Sequence, residues 1–413
     1  DNAIFTNDFD EAVKMCNNYN FIKIKGDNEG NLLYHLRRSH DSLILFIVNT
    51  SRKSNIDATL SLRDSYTVEA WDPFSGMRRK YDKAYHKDEV TFVRLNLKPV
   101  QSILLVLHSS QHTCERENES LSYVLRDVID LSSFWRMHLL DNNILVLDYC
   151  SLDNKEYEPT WRIRDKLGEI GFGSRYELYY KFVIRNKPKG KVYLLLEKGP
   201  REVFVNGEKV KLTKAEWPDF NYMMADITDY VMKGLNIVKA SYIVGWENEV
   251  EPFYILGRFS VVFNKDGMPY IDILKEDVEF INTVSCGLPF YCGIIEFHKS
   301  FNLNPKKYGK ILLELYDINA SVLEIRLNDS LEQVYIDNDI KVDITQYVRE
   351  KDNRLKIRIY TTLNNFFGPL HSKIDYTWVG PESFEDRVNW TEKYKLKIYG
   401  IGKILIKCYD MVS

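Results

Sequence analysis

An all-β chain of three sandwich domains in series is what the sequence predicts, and three observations carry that expectation. Short strand patterns with a two-residue period dominate the chain. Asn206-Gly207, the strongest short hairpin signal, lies between two strand runs. A block at residues 175–242 recurs in kind at residues 291–360.

The alternation is direct. Val93, Leu95 and Leu97 alternate with Arg94 and Asn96, and Tyr394, Leu396 and Ile398 with Lys395, Lys397 and Tyr399. A period of two puts apolar side chains on one sheet face and polar ones on the other. The first sandwich is expected over residues 1–108, with strands at Phe21–Lys25, Ser42–Asn49, Ala58–Leu62, Tyr66–Trp71, Thr91–Leu97 and Ser102–His108. Helical signal is sparse. Asp8 to Tyr19 is expected to form one helix capped by Asn7 or Asp8, and Asp343 to Arg349 a turn or two.

The polar stretch Ser109 to Ser120 reads as a linker. A second sandwich is expected over 109–265 and a third over 266–413, the boundary falling at Asn264-Lys265-Asp266-Gly267. Both hold a first strand, a second strand, a hairpin, an Asp-Ile-Thr-x-Tyr motif (Asp226 to Tyr230, Asp343 to Tyr347) and a closing strand. Two copies of one sandwich are the simplest account. Each Asp should cap a short turn through its carboxylate, and the Ile and Tyr should pack on the core.

Bulk properties exclude several classes. The 413 residues suit about three domains of about 100–150 residues. A formal net charge of −3 gives no basic face for nucleic acid or an anionic membrane. The longest apolar run, Leu43 to Val48, is a strand rather than a membrane span, and no signal peptide is visible, so the location stays open. The six cysteines form no C-x-x-C pair and read mostly as buried small hydrophobes. Cys286 and Cys292 are close enough in sequence for a bridge to be conceivable.

Three clusters resemble parts of a known family. Tyr34-His35-Leu36-Arg37-Arg38 leads into Leu45 to Asn49, with Trp71-Asp72-Pro73-Phe74-Ser75-Gly76 behind it. This resembles the sandwich that directly follows the catalytic barrel in family 106 α-L-rhamnosidases of the glycoside hydrolases. Asn143 to Cys150 resembles the strand opening the next domain of such proteins. Gly287 to Gly293, Asn364 to His371 and Trp390 to Gly400 resemble a terminal galactose-binding-like jelly roll, related to the sugar-binding domain of family 2 hydrolases. Leu370 stands where a second histidine is expected. The resemblance implies that the last two sandwiches are galactose-binding-like jelly rolls. It also implies an accessory portion of a bacterial-type glycoside hydrolase acting on plant or microbial glycans, with the catalytic domain N-terminal to Asp1.

The residues agree on what is lacking. Glycoside hydrolysis usually needs two carboxylates on a rigid scaffold, commonly an eightfold β/α barrel, and no segment alternates strand and helix for that length. No nucleophile elbow, zinc helix or phosphate loop is present. The chain alone is therefore expected to be inactive. Folds of this kind often hold a structural calcium, which stays open here, although no dense Asp/Asn loop marks one. No other cofactor is expected.

Sugar binding needs an aromatic platform beside convergent polar groups. The candidates are Trp217, Trp246, Trp378 and Trp390, in or near loops, with Asn365 and His371 in the third cluster. With 7 Trp, 27 Tyr and 21 Phe in the chain, most aromatics must be core. His35, Arg37 and Arg38 are candidates to face the catalytic domain; a polar edge strand is their plainer role. Glu247, Glu249 and Glu251 read as a solvated segment between strands. A purely structural buttress and a stand-alone glycan-binding protein are the competing readings.

Overall fold

The computed structural model describes residues 21–26, 30–40, 42–73, 76–109, 123–245, 250–376 and 378–412. Strands dominate them, as expected for an all-β chain. The expected helix at Asp8 to Tyr19 lies outside the described residues. The chain divides into two compact units, Asp1–Ser120 and Leu121–Ser413.

The first unit is built on two antiparallel sheets. One orders the strands Ile22–Lys25, Ile56–Arg63, Val90–Leu97 and Ala84–Lys87. The other orders Leu32–Ser39, Ser42–Asn49, Ser102–Ser109, Tyr66–Trp71 and Arg78–Lys80. The period of two sends Leu45, Ile47, Leu60, Leu62, Val93 and Leu105 into one core. The fully buried Asn49 ties the loops: its Nδ2 donates to the carbonyls of Ser54, Leu97 and Lys98, and its Oδ1 accepts from Ser51 N–H.

The second unit holds two sandwiches of the same build. In one, a sheet of order 143–147, 253–257, 192–197, 222–226, 213–214 faces one of order 157–159, 149–152, 175–184, 234–243, 202–205, 208–209. In the other, the orders are 123–130, 400–411, 310–319, 340–343 and 277–280, 133–139, 294–301, 353–360, 322–327, 331–335. Strand for strand the orders correspond, apart from the outermost strand at one edge of each pair and from 259–263 and 269–273, which the inserted sandwich adds beside 175–184.

The serial division expected at residue 265 does not follow this pairing. Tyr123–Asp130 pairs with the last strand, from Tyr123 opposite Met411 to Asp130 opposite Leu405. Ser133–Leu139 pairs with Ile294–Phe301, Leu139 standing opposite Ile295. The last sandwich therefore starts at Tyr123 and resumes near residue 277, and the middle sandwich is inserted within it. A strand pattern shows alternation but not its partner, so the nesting was invisible along the chain. Cys286 and Cys292 are both free thiols, so the spacing-allowed bridge does not form.

The repeat extends to individual hydrogen bonds. Asp226 Oδ1 accepts from Thr228 N–H at 3.1 Å and Oγ1 at 2.5 Å; Asp343 Oδ1 does the same with Thr345 at 3.1 and 2.5 Å. These are the Asx turns the motif predicts. Thr228 Oγ1 then accepts from Val192 N–H and Thr345 Oγ1 from Ile311 N–H. Asn206 and Asn328 take positive φ at the first hairpin position, with Gly207 and Asp329 positive at the second, as a type I′ turn requires.

Each hairpin asparagine meets a second, fully buried one: Asn206 donates to Asn236 Oδ1 and Asn328 to Asn353 Oδ1, both at 2.8 Å. Asn236 also caps Met232, and Asn353 caps Arg349, through both N–H and C=O. One expectation needs correcting. Ile227 and Ile344 are fully buried, but Tyr230 is exposed and Tyr347 only partly buried. Tyr347 packs against its core as expected, while Tyr230 turns outward and the following Val231 is the buried residue.

The outer face of the last sandwich carries a charged ladder. Register places Glu296, Arg358 and Glu324 side by side. Arg358 Nε donates to Glu296 at 2.6 Å, and His298 meets the same carboxylate at 2.5 Å. Burial opposes ionisation of Glu296, but hydrogen bonds from His298, Arg358 and Lys356 outweigh it and bring its pKa down to about 2.

Two predictions follow from these contacts. Asn236→Ala and Asn353→Ala should each cost about 3 kcal/mol, since several buried groups lose partners at about 1–3 kcal/mol apiece. Urea denaturation checks it, and a cost in one copy with none in the other would contradict their equivalence. Because the Glu296 value is lowered in the folded state, its ionised form stabilises the fold above the ordinary carboxylate range. That contribution fades as pH falls toward about 2. The Tm gap between wild type and Glu296→Gln should be widest near neutrality and close in acid; a gap constant with pH would refute the ladder's role.

Candidate functional site

Residues from both sandwiches of the second unit enclose a cavity of about 390 Å³. The inserted sandwich contributes Asp148 from the junction of two strands and Tyr222 and Tyr254 from strands. It also contributes Glu251 from the approach to a strand, and Trp161 and Arg164 from the helix Thr160–Leu167. The host's long connection, residues 361–399, adds Phe367, Pro369, Leu370, His371, Phe384, Asp386 and Trp390.

The helix is amphipathic, with Ile163 and Leu167 buried and Arg164 near its end. Its first turn is anchored by Thr160 N–H donating to Asp148 O at 2.9 Å. The connection is fixed by Asn365. That buried side chain donates to Pro289 O at 2.8 Å and Lys397 O at 2.7 Å, and accepts from Lys397 N–H at 2.8 Å. Phe366 and Leu370 then enter the core of the inserted sandwich, which is why a leucine and not a second histidine stands at 370. On the other side, Asn143 donates to Phe259 O and Gly287 O at 2.7 and 3.0 Å. The second and third sequence clusters thus meet at one seam.

At the centre stands a three-residue polar group. His371 Nε2 lies 2.9 Å from Asp148 Oδ2, and its Nδ1 lies 2.9 Å from Thr391 O. A backbone carbonyl only accepts, so Nδ1 carries a proton. Nε2 faces the Asp148 carboxylate, so both ring nitrogens are engaged. Tyr394 Oη donates to Asp148 Oδ1 at 2.7 Å. Burial, then the Asp148 charge, hold Tyr394 well above its ordinary pKa, and the same two causes push Tyr149 up to about 12. Both phenols therefore stay protonated.

Aromatic rings surround this group. His371 stacks on Trp390 at 5.7 Å, Trp390 meets Trp161 edge-on at 5.9 Å, and Tyr149 meets His371 edge-on at 6.0 Å. Arg387 and Arg162 lie over the Trp161 ring at 4.1 and 5.2 Å. Such pairs add about 0.5–1 kcal/mol each at exposed sites. Asp386 is spent internally, accepting from Asn389 N–H and Nδ2 and from Tyr376 Oη.

Of the sequence candidates, His371 and Trp390 line the cavity. Asn365 is a buried structural clamp, with its side-chain groups used by the backbone, so it has none left for a sugar. Trp217 is half-exposed and packs on the buried Phe366 at 5.1 Å, outside the cavity. Trp378 is exposed and does not line it. Trp246 lies outside the described residues, as do Glu247 and Glu249. Glu251, expected to be solvated, faces the cavity instead. In the first unit His35, Arg37 and Arg38 are all exposed on the edge strand Leu32–Ser39, beside exposed Leu33 and Tyr34. Sequence reasoning missed Asp148, Trp161 and Tyr394 as site residues. The signal for Asp148 was a lone carboxylate interrupting an apolar run, Ile144 to Leu147 before it and Tyr149-Cys150 after.

No protein-family model matches the chain, and no curated protein does. Solved structures give distant likenesses. A rhamnosidase from Novosphingobium sp. PP1Y is 14% identical with a TM-score of 0.45, covering 98% of this chain and 26% of its own. The Streptomyces avermitilis α-L-rhamnosidase complexed with L-rhamnose is 11% identical with a TM-score of 0.24, covering 82% and 36%. A glycosyl hydrolase family 2 member from Bacteroides cellulosilyticus is 13% identical with a TM-score of 0.20, covering 57% and 31%. The chain spans only 26% to 36% of the length of these proteins.

The central group generates a graded prediction. His371→Ala removes the ring that fills one oxygen of the buried Asp148 carboxylate and holds Thr391 O, and should cost about 3 kcal/mol. Tyr394→Phe removes one hydrogen bond and should cost about 1 kcal/mol. Urea denaturation of both variants tests the order; a His371→Ala midpoint equal to wild type would refute the stabilising role of the contact.

Proposed function

We propose that the chain is the non-catalytic, carbohydrate-binding portion of a glycoside hydrolase acting on plant or microbial glycans, with the cavity around His371 and Trp390 as its saccharide site. The cavity carries the reading. It sets a cluster of indole, phenol and phenyl rings beside Arg164 and Glu251. Sugar recognition needs this combination of apolar ring faces for C–H groups and a few fixed polar groups for hydroxyls.

The carboxylate chemistry supports binding over hydrolysis. Both oxygens of Asp148 accept internal hydrogen bonds, and so do both oxygens of Asp386. A general acid or nucleophile needs an oxygen facing the scissile bond. The two nested sandwiches are read as galactose-binding-like jelly rolls, and the first unit as the sandwich next to the catalytic domain. Its exposed Leu33 and Phe46, on one face of the paired strands, give an apolar surface consistent with a partner.

A structural buttress is the second reading, and the internally satisfied Asp148, Asn365 and Asp386 favour it. Binding separates the two. Titration calorimetry with a panel of neutral oligosaccharides should show binding that Trp390→Ala weakens about tenfold, consistent with about 1–1.5 kcal/mol for a lost stacking partner. No binding, or binding indifferent to Trp390→Ala, would leave the buttress. The purified chain should release no aglycone from aryl rhamnosides, galactosides or glucosides; turnover in such an assay would overturn the non-catalytic reading.

A further inference from the structure

The last sandwich carries an open groove of about 610 Å³ on its outer face, separate from the cavity. Phe134, Arg136, Asp277, Glu279, His298 and Ser300 line it. Phe134 is the second residue of the strand Ser133–Leu139, in which Trp135, Met137 and Leu139 are buried. Its own ring is 77% exposed and belongs to no core cluster. Its φ is 62°, a left-handed conformation costly for a bulky residue. Lys299 holds this backbone in place: its ammonium donates to the carbonyls of Ser133 and Phe134 and lies over the Trp135 ring at 5.5 Å. A lysine is thus spent on presenting a phenyl ring to solvent. Strain of this kind, held by its surroundings, marks functional positions.

The walls add what a ring alone lacks. Asp277 stands opposite Arg136 in register, and Glu279 lies on the same face two residues along. Asp277 and Glu279 have no hydrogen-bond or ion-pair partner among the described residues, so their oxygens are available. Arg136 is held only by a solvent-exposed pair with Glu276 at 3.3 Å.

The internal repeat shows what the other copy has at the position of Phe134. Phe182 pairs with Asn236 and Phe301 with Asn353, so Phe182 and Phe301 correspond. Counting back along both strands aligns Tyr180 with Lys299, hence Cys150 with Trp135 and Tyr149 with Phe134. Tyr149 is the ring edge-on to His371 beside the cavity. The matching position of the inserted sandwich is thus also aromatic, but there the ring packs on His371, whereas Phe134 is left in solvent.

We propose that this groove is a second saccharide-binding subsite, in which a neutral sugar ring lays a C–H face on Phe134 and engages Asp277, Glu279 and Arg136 through its hydroxyls. Two unpaired carboxylates select against an anionic sugar. The proposal rests on the ligand class of the preceding reading but uses none of its residues.

The test is calorimetric titration of the full chain with methyl α-L-rhamnopyranoside, xylotetraose, galactotetraose and, as the anionic control, tetragalacturonate. Wild type, Phe134→Ala, Phe134→Trp, Phe134→Gly, Glu279→Ala and Trp390→Ala are compared. Binding of a neutral member should weaken at least tenfold in Phe134→Ala and in Glu279→Ala and recover in Phe134→Trp. Phe134→Gly should raise the Tm while losing binding, since glycine relieves the strain. A lower Tm for both Phe134→Gly and Phe134→Ala would make the ring a structural prop and overturn the proposal. So would a preference for tetragalacturonate, or no binding at all. Loss in Trp390→Ala with Phe134→Ala unaffected would overturn the groove and keep the cavity; the converse would keep the groove and overturn the cavity.

Discussion

The second unit depends on one long-range pairing. Tyr123–Asp130 has its partner in Gly400–Met411, at the far end of the unit. Until those strands meet, the last sandwich lacks one strand of a sheet, and everything between them must fit inside the closed loop. Loop closure costs grow only slowly with length, but non-local pairing makes formation slow. The inserted sandwich eases this, because its own strands pair over shorter separations and draw the ends of the loop together.

The dependence runs in both directions. The host's connection completes the insert, placing Phe366 and Leu370 among its buried residues, with Phe290 beside them. Burying a phenylalanine contributes about 1.5–3 kcal/mol, so the insert's core is finished by residues that belong to its host. The cavity lies at this shared seam. Its polar centre joins Asp148 of one sandwich to His371 and Tyr394 of the other, so the chemistry of the site is also a lock between the two.

Much of the architecture was legible in the sequence because its signals are local. Alternation gave the sheet faces, Asn206-Gly207 gave a hairpin, and the paired Asp-Ile-Thr motifs gave both Asx turns. What stayed hidden is set by distance or by small rotations. Asp148 and His371 are 223 residues apart and Asp148 and Tyr394 246 apart, and no local pattern announces such a meeting. Tyr347 packs on its core as the motif suggested, but Tyr230 does not, one further residue of turn giving the core position to Val231. Glu251 read as surface because its neighbours are charged; its orientation depends on a fold that composition does not record.

The register at the mouth of the insert carries a consequence for how such a molecule can arise. The host strands on either side of the insert, Ser133–Leu139 and Asp277–Phe280, stand side by side, with Arg136 opposite Asp277. An entire domain therefore enters and leaves its host at adjacent points, as the two arms of a hairpin do. A gene segment copied into that position would ask the recipient fold for no more reach than a tight turn demands. One duplication, landing inside its own template, is enough to account for two matched sandwiches in one unit.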